Sequence, residues 1–440
     1  MLSTLCTLLV FFIVNVCEAK QPDSLRLPEF ISFSSKNKNY SRSEQSRVLL
    51  FSTVSHVGSV ETSNWILHKR LLRLGFSHRI ALCKDTDFQA KLIAQKIDHY
   101  ALKNINAEPL AKRDLITQLR VVCKNDAIDI VQTHNLHDAC CALKATQNLK
   151  IQVVLHFHQD YNPNMHRVAG ISGAIAVSHH VLEFMKTENT THKLGIKYFA
   201  HILVLPNKKK FTGYRSPFLS RKDFFRTHYN IDITDAPVMC MIAQFYKPEE
   251  HIPGGFRKNH ALLIRAAAQL IHEHGKPVHV LFVGDGPSRA WHENLCYELH
   301  VEKYVHFLGY CSNTNDILHY SDFHILTSIG ESCGSVHLEA AYMKKPSIGP
   351  TQTGAEYVIA DGQTGLLFKN NDLEDVLCKI KLLIDNPDMR THMGHNAFDF
   401  ATGKKTFGKA NLTFLETQYA RAFIDFYNNI MKKNGLRKRS

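Results

Sequence analysis

The sequence predicts an α/β protein made of two tandem doubly wound domains with a ligand cleft between them. Three observations lead there. The chain has 440 residues, too many for one ordinary core and comfortable for two. Short apolar runs of strand length alternate with amphipathic stretches of helix length, the pattern of a parallel sheet covered on both faces. That alternation breaks once, at about Lys208 to Pro217, and then restarts.

The elements follow in order. Residues 1–20 hold an apolar run, Leu5 to Val16, interrupted only by Cys6, Thr7 and Asn15. It is short for a membrane span, which needs about 20 apolar residues, and reads as a signal-peptide core cleaved after Ala19. No Lys or Arg precedes it while Lys20 and Arg26 follow, which instead suits an uncleaved anchor with the body in the cytoplasm. The protein is expected to be membrane-associated or exported, and both readings stand. Residues 21–45 are polar and serine-rich, a linker. The first domain, 46–212, opens with a strand at Val48 to Phe51. A helix follows from Glu61 to Leu74, with Trp65, Ile66, Leu71 and Leu72 on its apolar side. Further strands are expected at Arg79 to Cys83, Ile128 to Thr133, Ile151 to Phe157, Ala174 to Val177 and His201 to Leu205.

The second domain, 213–400, repeats the alternation. Strands are expected at Pro237 to Phe245, Val278 to Gly284, Val305 to Gly309 and Phe323 to Ser328. Helices are expected at Asn259 to His274, Ser288 to His300, Asn315 to Tyr320 and Ser335 to Lys344. The tail, 401–440, places Leu412, Phe414, Leu415, Tyr419, Phe423 and Phe426 at helical intervals, which suits a helix packing back on the first domain.

Composition is that of an ordered globular chain, 44% hydrophobic and 21% charged. The net charge of +13 suits nucleic acid, anionic lipid or phosphorylated small molecules equally. No basic motif interleaved with aromatics supports nucleic acid, so none is expected as partner. An anionic membrane surface fits the Lys208 to Lys210 and Arg437 to Arg439 runs, as does simple solvation. The 27 histidines scatter without a zinc-site spacing, so no metal is expected. The eleven cysteines are odd in number and partly inside apolar strands, and read as free thiols rather than a disulfide framework.

The segment from Leu281 to Phe368 is the richest in candidate chemistry. Phe282 to Pro287 is a strand running into the turn Gly284-Asp285-Gly286-Pro287, where glycines let backbone approach a ligand and the next helix favours anions. Glu331 ends a loop after a buried strand. Gly334 and Ser335 open the following helix, whose free N–H groups, including that of Val336, and positive dipole end suit a diphosphate. Glu339 lies about one turn into that helix, where a carboxylate accepts hydrogen bonds from vicinal hydroxyls. Taken alone, two such glutamates would be a helix cap and a solvated residue.

Neighbouring motifs change that balance. Gly284 to Pro287, Phe307 to Gly309, Glu331 to Glu339, Lys345 to Ile348, Thr353 to Glu356 and Asp361 to Leu367 occur in this order. The set resembles the second domain of family 4 retaining GT-B glycosyltransferases, with its G-D-G-P turn, F-L-G strand, E-x7-E element, K-P-V-I-like strand, G-G-x-x-E turn and D-G-x-T-G-L-L hairpin. In the first domain, Gly58 and Ser59 match the family's glycine loop near the donor phosphates. Ile128 to His134, Val154 to His158, Ala174 to Ser178 and Val204 to Asn207 match its strands. The resemblance spans roughly residues 47–400.

The resemblance implies the GT-B fold of two Rossmann-like domains and metal-independent, retaining transfer of a hexose. The co-substrate would be a nucleotide-diphosphate sugar, with no other cofactor, and the acceptor a glycan or lipid. It implies catalytic roles for Glu331, His158 and Lys258. Donor binding would fall to Gly58, Ser59, Arg257, Gly284, Gly334, Ser335, Val336 and Glu339. Three positions depart from the family: Gln244 stands for the arginine that contacts the diphosphate, Lys208 for a glycine, and Cys333 for an aromatic. Arg257 is the candidate replacement cation for Gln244. Gln244 and Lys208 keep in view a degenerate nucleotide-sugar-binding protein, and a retaining sugar phosphorylase on the same fold is a further alternative.

Overall fold

The protein is described by a computed structural model that covers residues 32–34 and 47–434, apart from 54–58, 84–86, 103–108, 159–163, 203–205, 207, 250–251, 253–254 and 408–415. The apolar run in residues 1–20 therefore lies outside the described residues, as do Gly58, Leu412, Phe414 and Arg437 to Arg439. No described helix is long and apolar enough to cross a membrane. All nine described cysteines are free.

The first sheet contains strands β1 (Ser32–Ser34), β2 (Val48–Ser52), β3 (His78–Cys83), β4 (His99–Leu102), β5 (Ile130–Thr133), β6 (Gln152–Phe157), β7 (Gly173–Ala176) and β8 (Tyr198–His201). Their spatial order is β1-β4-β3-β2-β5-β6-β7-β8, all parallel except β1, which pairs antiparallel with β4. Helices α1 (Ser59–Arg73), α2 (Asp87–Ala94), α3 (Pro109–Asn125), α4 (Leu136–Ala145) and α5 (His179–Thr191) connect them. Strand β1 lies inside the stretch expected to be linker; three residues are too few to show a period of two. Strand β8 lies earlier than the expected His201 to Leu205, because Tyr198, Phe199 and Ala200 supply the pairing with β7.

At the expected break, Lys208–Thr212 form a short helix, α6, which packs on the second domain. Phe211 is buried among Val238, Cys240 and Tyr342, and Asn315 Nδ2 donates to Lys210 O at 2.6 Å. The boundary expected at 212–213 therefore moves ahead of α6.

The second sheet is wholly parallel. Its strands are β9 (Val238–Ile242), β10 (His279–Val283), β11 (Val305–Phe307), β12 (Phe323–Ile325), β13 (Ser347–Pro350) and β14 (Gly365–Phe368), in the order β11-β10-β9-β12-β13-β14. Helices α7 (Arg221–Tyr229), α8 (His260–His272), α9 (Arg289–Glu298), α10 (Thr314–Tyr320), α11 (Ser335–Tyr342), α12 (Leu373–Asp385) and α13 (Pro387–Ala401) surround it. In both sheets the strand order reverses beside the first strand of the domain, between β2 and β5 and between β9 and β12. Open α/β sheets bind ligands at the carboxyl ends of strands at such a reversal. The two domains meet through one buried cluster that joins Cys333, Leu338, Ala355, Val358 and Ile359 to apolar residues of the first domain.

The last helix, α14 (Glu416–Lys433), returns to the first domain. Tyr419, Phe423, Phe426, Tyr427 and Ile430 bury against Val48, Leu50, Ile130, Val154 and Ile175, one face of the first sheet. Gly173 permits this approach, since a Cβ there would lie 2.8 Å from Ile430 Cδ1 and 2.9 Å from Phe426 Cζ. Phe423 is fully buried. Phe423→Ala is expected to destabilise the first domain by about 3–5 kcal/mol, the cost of deleting a packed aromatic ring. Urea unfolding followed by circular dichroism checks it; a midpoint shift worth under about 1 kcal/mol would mean that α14 is dispensable to this core.

Candidate active site

The loop after β12 carries the centre of the candidate site. Glu331 Oε1 accepts the N–H of Gly334 at 3.0 Å, and Oε2 accepts from Lys258 Nζ at 2.6 Å. One carboxylate thus caps the amino end of α11 and neutralises an ammonium. Gly334 is required there. It sits at φ +66, and a Cβ would come within 2.6 Å of His337 Cδ2. The N–H groups of Ser335 and Val336, both half-buried, belong to the first turn and lack intrahelical acceptors. The 354 turn presses on the same loop, with Gly354 N donating to Glu331 O at 2.6 Å.

Lys258 reaches Glu331 from just before α8, and the backbone holds it there. Thr327 Oγ1 donates to Asn259 O at 2.8 Å and to Lys258 O at 3.3 Å, while Ile329 N donates to Arg257 O at 2.9 Å. Burial pulls the Lys258 ammonium down, and the Glu331 charge and hydrogen bond more than offset that, so its pKa is raised. Lys258 remains a cation with one of its three N–H donors given to Glu331.

Arg257 is engaged elsewhere. Its Nε and Nη2 donate to Glu249 Oε1 and Oε2 at 3.1 and 3.2 Å, a two-point pair. Gln244, in the place of the family arginine, is exposed just beyond β9. Gly284 has a steric role: at φ +140 a Cβ would lie 2.0 Å from Ala243 O, so only glycine lets β10 turn against the end of β9.

Glu339 stands one turn into α11, half-buried and with no described side-chain partner. Burial raises its pKa to about 7, against the opposing charge of Lys210. A carboxylate held out of water without a donor is stabilised by any ligand that brings hydroxyl donors to it.

From the first domain come the histidines after β5 and within and after β6. His134 Nδ1 lies 3.1 Å from His158 Nε2, and the ring centroids of His156 and His158 lie 4.3 Å apart. Burial pushes His158 down to about 4 and His134 and His156 well below the usual range, so all three rings are neutral at pH 7. One ring nitrogen from each falls within 4.8 Å of the others, near enough for a cation among the described residues. No local spacing in the sequence reveals this group, because its members come from two strands. Gln132 Nε2 also lies 3.2 Å from His134 Nε2, so both nitrogens of that ring already have partners.

Ser59 begins α1. Thr53, just past β2, is anchored by Asp138, fully buried, which accepts from Thr53 N at 3.1 Å, from Thr53 Oγ1 at 2.5 Å and from Asn135 Nδ2 at 2.7 Å. Sequence reasoning passed over Asp138, Thr327 and Gln132. The available signal was a polar side chain at the end of an apolar strand or on the buried side of a helix. The structure thus brings together Glu331, Lys258, Gly334, Ser335 and Val336, keeps Glu339 open, and turns Arg257 toward Glu249.

Residues 255–400 match the model of the family described as glycosyl transferases group 1. Over 299 residues the chain is 29% identical to N-acetyl-alpha-D-glucosaminyl L-malate synthase of Bacillus anthracis, spanning 64% of this chain and 72% of that one. It is 28% identical over 174 residues to the putative glycosyltransferase EpsD of Bacillus subtilis, covering 40% of this chain and 43% of that relative's length. A solved glycosyltransferase of Rickettsia africae is similar with TM-score 0.70 at 21% identity, over 88% of this chain and 99% of the other. Anabaena HepE, solved with UDP and glucose, is similar with TM-score 0.70 at 17% identity, over 88% and 100%.

Two doubly wound sheets in tandem, the first reversing its strand order between β2 and β5 and the second between β9 and β12, make this a protein of the GT-B fold. Residues 255–400 of the chain match the domain that defines the glycosyl transferases group 1 family.

Proposed function

We propose that the chain transfers a hexose, with retention at the anomeric carbon, from a nucleotide-diphosphate sugar to a glycan or lipid acceptor. The observation that carries this reading is Glu331 bonded at once to Lys258 and to the amino end of α11, with Glu339 unpaired one turn on. Glu339 binds the ribose hydroxyls. The N–H groups of Ser335 and Val336 hold the distal phosphate, and Glu331 holds the sugar. Lys258 neutralises the departing diphosphate, which makes a metal ion unnecessary at that step. Gly58 and Ser59 close over the phosphates, and His158 orients the sugar or the acceptor. The bond from the anomeric carbon to the phosphate oxygen breaks while the acceptor oxygen bonds on the same face. The acceptor proton passes to the leaving phosphate. The UDP and glucose held by HepE support a nucleotide-sugar donor. The net charge of +13 and the apolar run in residues 1–20 motivate an acceptor at an anionic membrane surface.

A second reading has support of its own. Gln244 brings no charge and Arg257 is held by Glu249, so the diphosphate meets one cation fewer than in the family pattern. That favours a protein that binds nucleotide sugar without turning it over.

A thermal-shift screen against UDP-, GDP- and ADP-sugars, the nucleoside diphosphates and inorganic phosphate tests both. Ligand at a hundred times its Kd stabilises by about 2.7 kcal/mol, a shift of several degrees. One nucleotide is expected to give that shift at pH 8, to give less at pH 6 where Glu339 is largely protonated, and to lose it in Glu339→Ala. A shift that survives Glu339→Ala would remove the ribose assignment. A shift with phosphate alone would replace transfer by phosphorolysis. A nucleotide-sugar shift without slow donor hydrolysis would select the second reading.

A further inference from the structure

A chain of buried hydrogen bonds joins the C-terminal helix to the candidate sugar site. Tyr427 OH donates to Gln132 Oε1 at 2.5 Å, Gln132 Nε2 lies 3.2 Å from His134 Nε2, and His134 Nδ1 lies 3.1 Å from His158 Nε2. Tyr427 and Gln132 are fully buried and His134 is nearly so, while His158 is partly open.

The direction of each bond follows from the donors available. A buried phenol must place its one hydrogen on an acceptor, so the amide oxygen of Gln132 faces Tyr427 and its NH2 faces His134. An amide N–H can only donate, so His134 Nε2 is the lone-pair nitrogen. A neutral imidazole carries one proton, and in His134 it must then sit on Nδ1. That N–H points at His158, whose Nε2 must accept. The His158 proton is left on Nδ1, a nitrogen with no partner among the described residues.

We propose that Tyr427 is a positioning residue of the sugar site, acting through Gln132 and His134 to hold His158 in the tautomer whose Nδ1–H donates to a sugar or acceptor hydroxyl. The relay is defined by the geometry alone. Its effect on transfer rests on the role proposed above for His158. Burial supports it, because it keeps the histidines neutral and Tyr427 protonated, well above its ordinary pKa. A phenol that fixes an amide that fixes two imidazoles is the outer-layer arrangement by which proteins select a histidine tautomer.

Gln132→Glu reverses the relay with the exchange of one NH2 for one oxygen. A carboxylate has no N–H, so it accepts from Tyr427 and from His134 Nε2–H. His134 Nδ1 then becomes an acceptor, His158 donates from Nε2, and its Nδ1 turns into a lone pair. The experiment is long-range 1H–15N correlation of the full chain labelled at histidine nitrogens, with His158 assigned by its loss in His158→Gln. The expected result is a protonated Nδ1 and bare Nε2 on His158 in the parent protein, and the opposite pattern in Gln132→Glu. Tyr427→Phe frees the Gln132 amide and should give a mixture of both tautomers. That variant keeps the packed ring, which guards against misfolding in the first.

An unchanged His158 pattern in folded Gln132→Glu, or a parent protein with Nε2 protonated, overturns the relay. Turnover is read beside the spectra. Reversed tautomer with a kcat reduced at least tenfold and an unchanged nucleotide Kd supports the whole proposal. Reversed tautomer with unchanged kcat leaves the relay standing and overturns its catalytic effect, and with it the role of His158. Zinc that binds one to one and shifts all three ring signals would show a metal site in its place, and would also overturn the relay.

Discussion

Lys258→Met is expected to lower turnover by roughly 10²–10³-fold while leaving the fold in place, the usual consequence of removing one preorganised group from developing charge. Methionine keeps the unbranched stem and discards the ammonium, so packing near α8 changes little. What is lost is the only described partner of Glu331 Oε2 and the cation proposed above to meet the phosphates. Glu331→Gln should do comparable damage by a different route. The amide can still accept from Gly334 N, so the α11 cap survives, but Lys258 is left half-buried without a counter-charge and its pKa should fall. Steady-state kinetics separates the two. Lys258→Met loses kcat with nucleotide Kd raised, because the ammonium also meets the ground-state diphosphate. Glu331→Gln loses kcat with nucleotide Kd nearly unchanged. Parental turnover in either variant would remove that residue from the site.

Acid should unfold this protein early. His68 is lowered to about 3 and His78, His279 and His306 to about 4, mainly by burial, and His134, His156, His260 and His324 are held well below the ordinary range for the same leading reason. Between about pH 4 and 6.5 the unfolded chain binds more protons at these rings than the folded one, so stability rises with pH in that window and is lost as pH falls through it. At pH 5 a fully buried ring of this kind forfeits roughly 2 kcal/mol relative to pH 7.5. A handful of them rivals the total of about 5–15 kcal/mol that holds a domain together. Glu339 runs the other way, since its raised value favours the folded state on acidification, but it is one group against many. Thermal melts from pH 7.5 to 5 should show the midpoint collapsing by tens of degrees; a flat profile would mean that these rings find water or partners on protonation.

The geometry of the candidate second-domain site was legible where its parts are adjacent in the chain. Glu331, Gly334 and Glu339 fall within one loop and one helix, so spacing alone placed a carboxylate at a helix end. What joins that loop to the rest was not legible. Lys258 entered through the family resemblance, and its seat depends on Thr327 and Ile329 donating to backbone carbonyls some 70 residues earlier, which no local period encodes. The pairing of Arg257 with Glu249 was missed because Glu249 lies in an aperiodic stretch with no strand or helix pattern to orient it. In the first domain the alternation located β5 and β6, but a strand residue such as Gln132 reads only as polar until its partner, Tyr427, arrives from the far end of the chain. Helix α6 was hidden for a compositional reason: three consecutive lysines look like a solvated break, and one buried phenylalanine, Phe211, is too little to register as an amphipathic turn.

The return of α14 to the first sheet has a consequence for how the protein is made. The face formed by Val48, Leu50, Ile130, Val154 and Ile175 leaves the ribosome before the second domain, yet the segment that covers it, Glu416–Lys433, is translated only after that domain. At about 5–20 residues per second, the interval is on the order of ten seconds or more, during which an apolar sheet surface stands bare while the entire second domain is synthesised. The first domain therefore cannot mature in step with its own translation. Its core closes only once α14 has been made and has returned to that face.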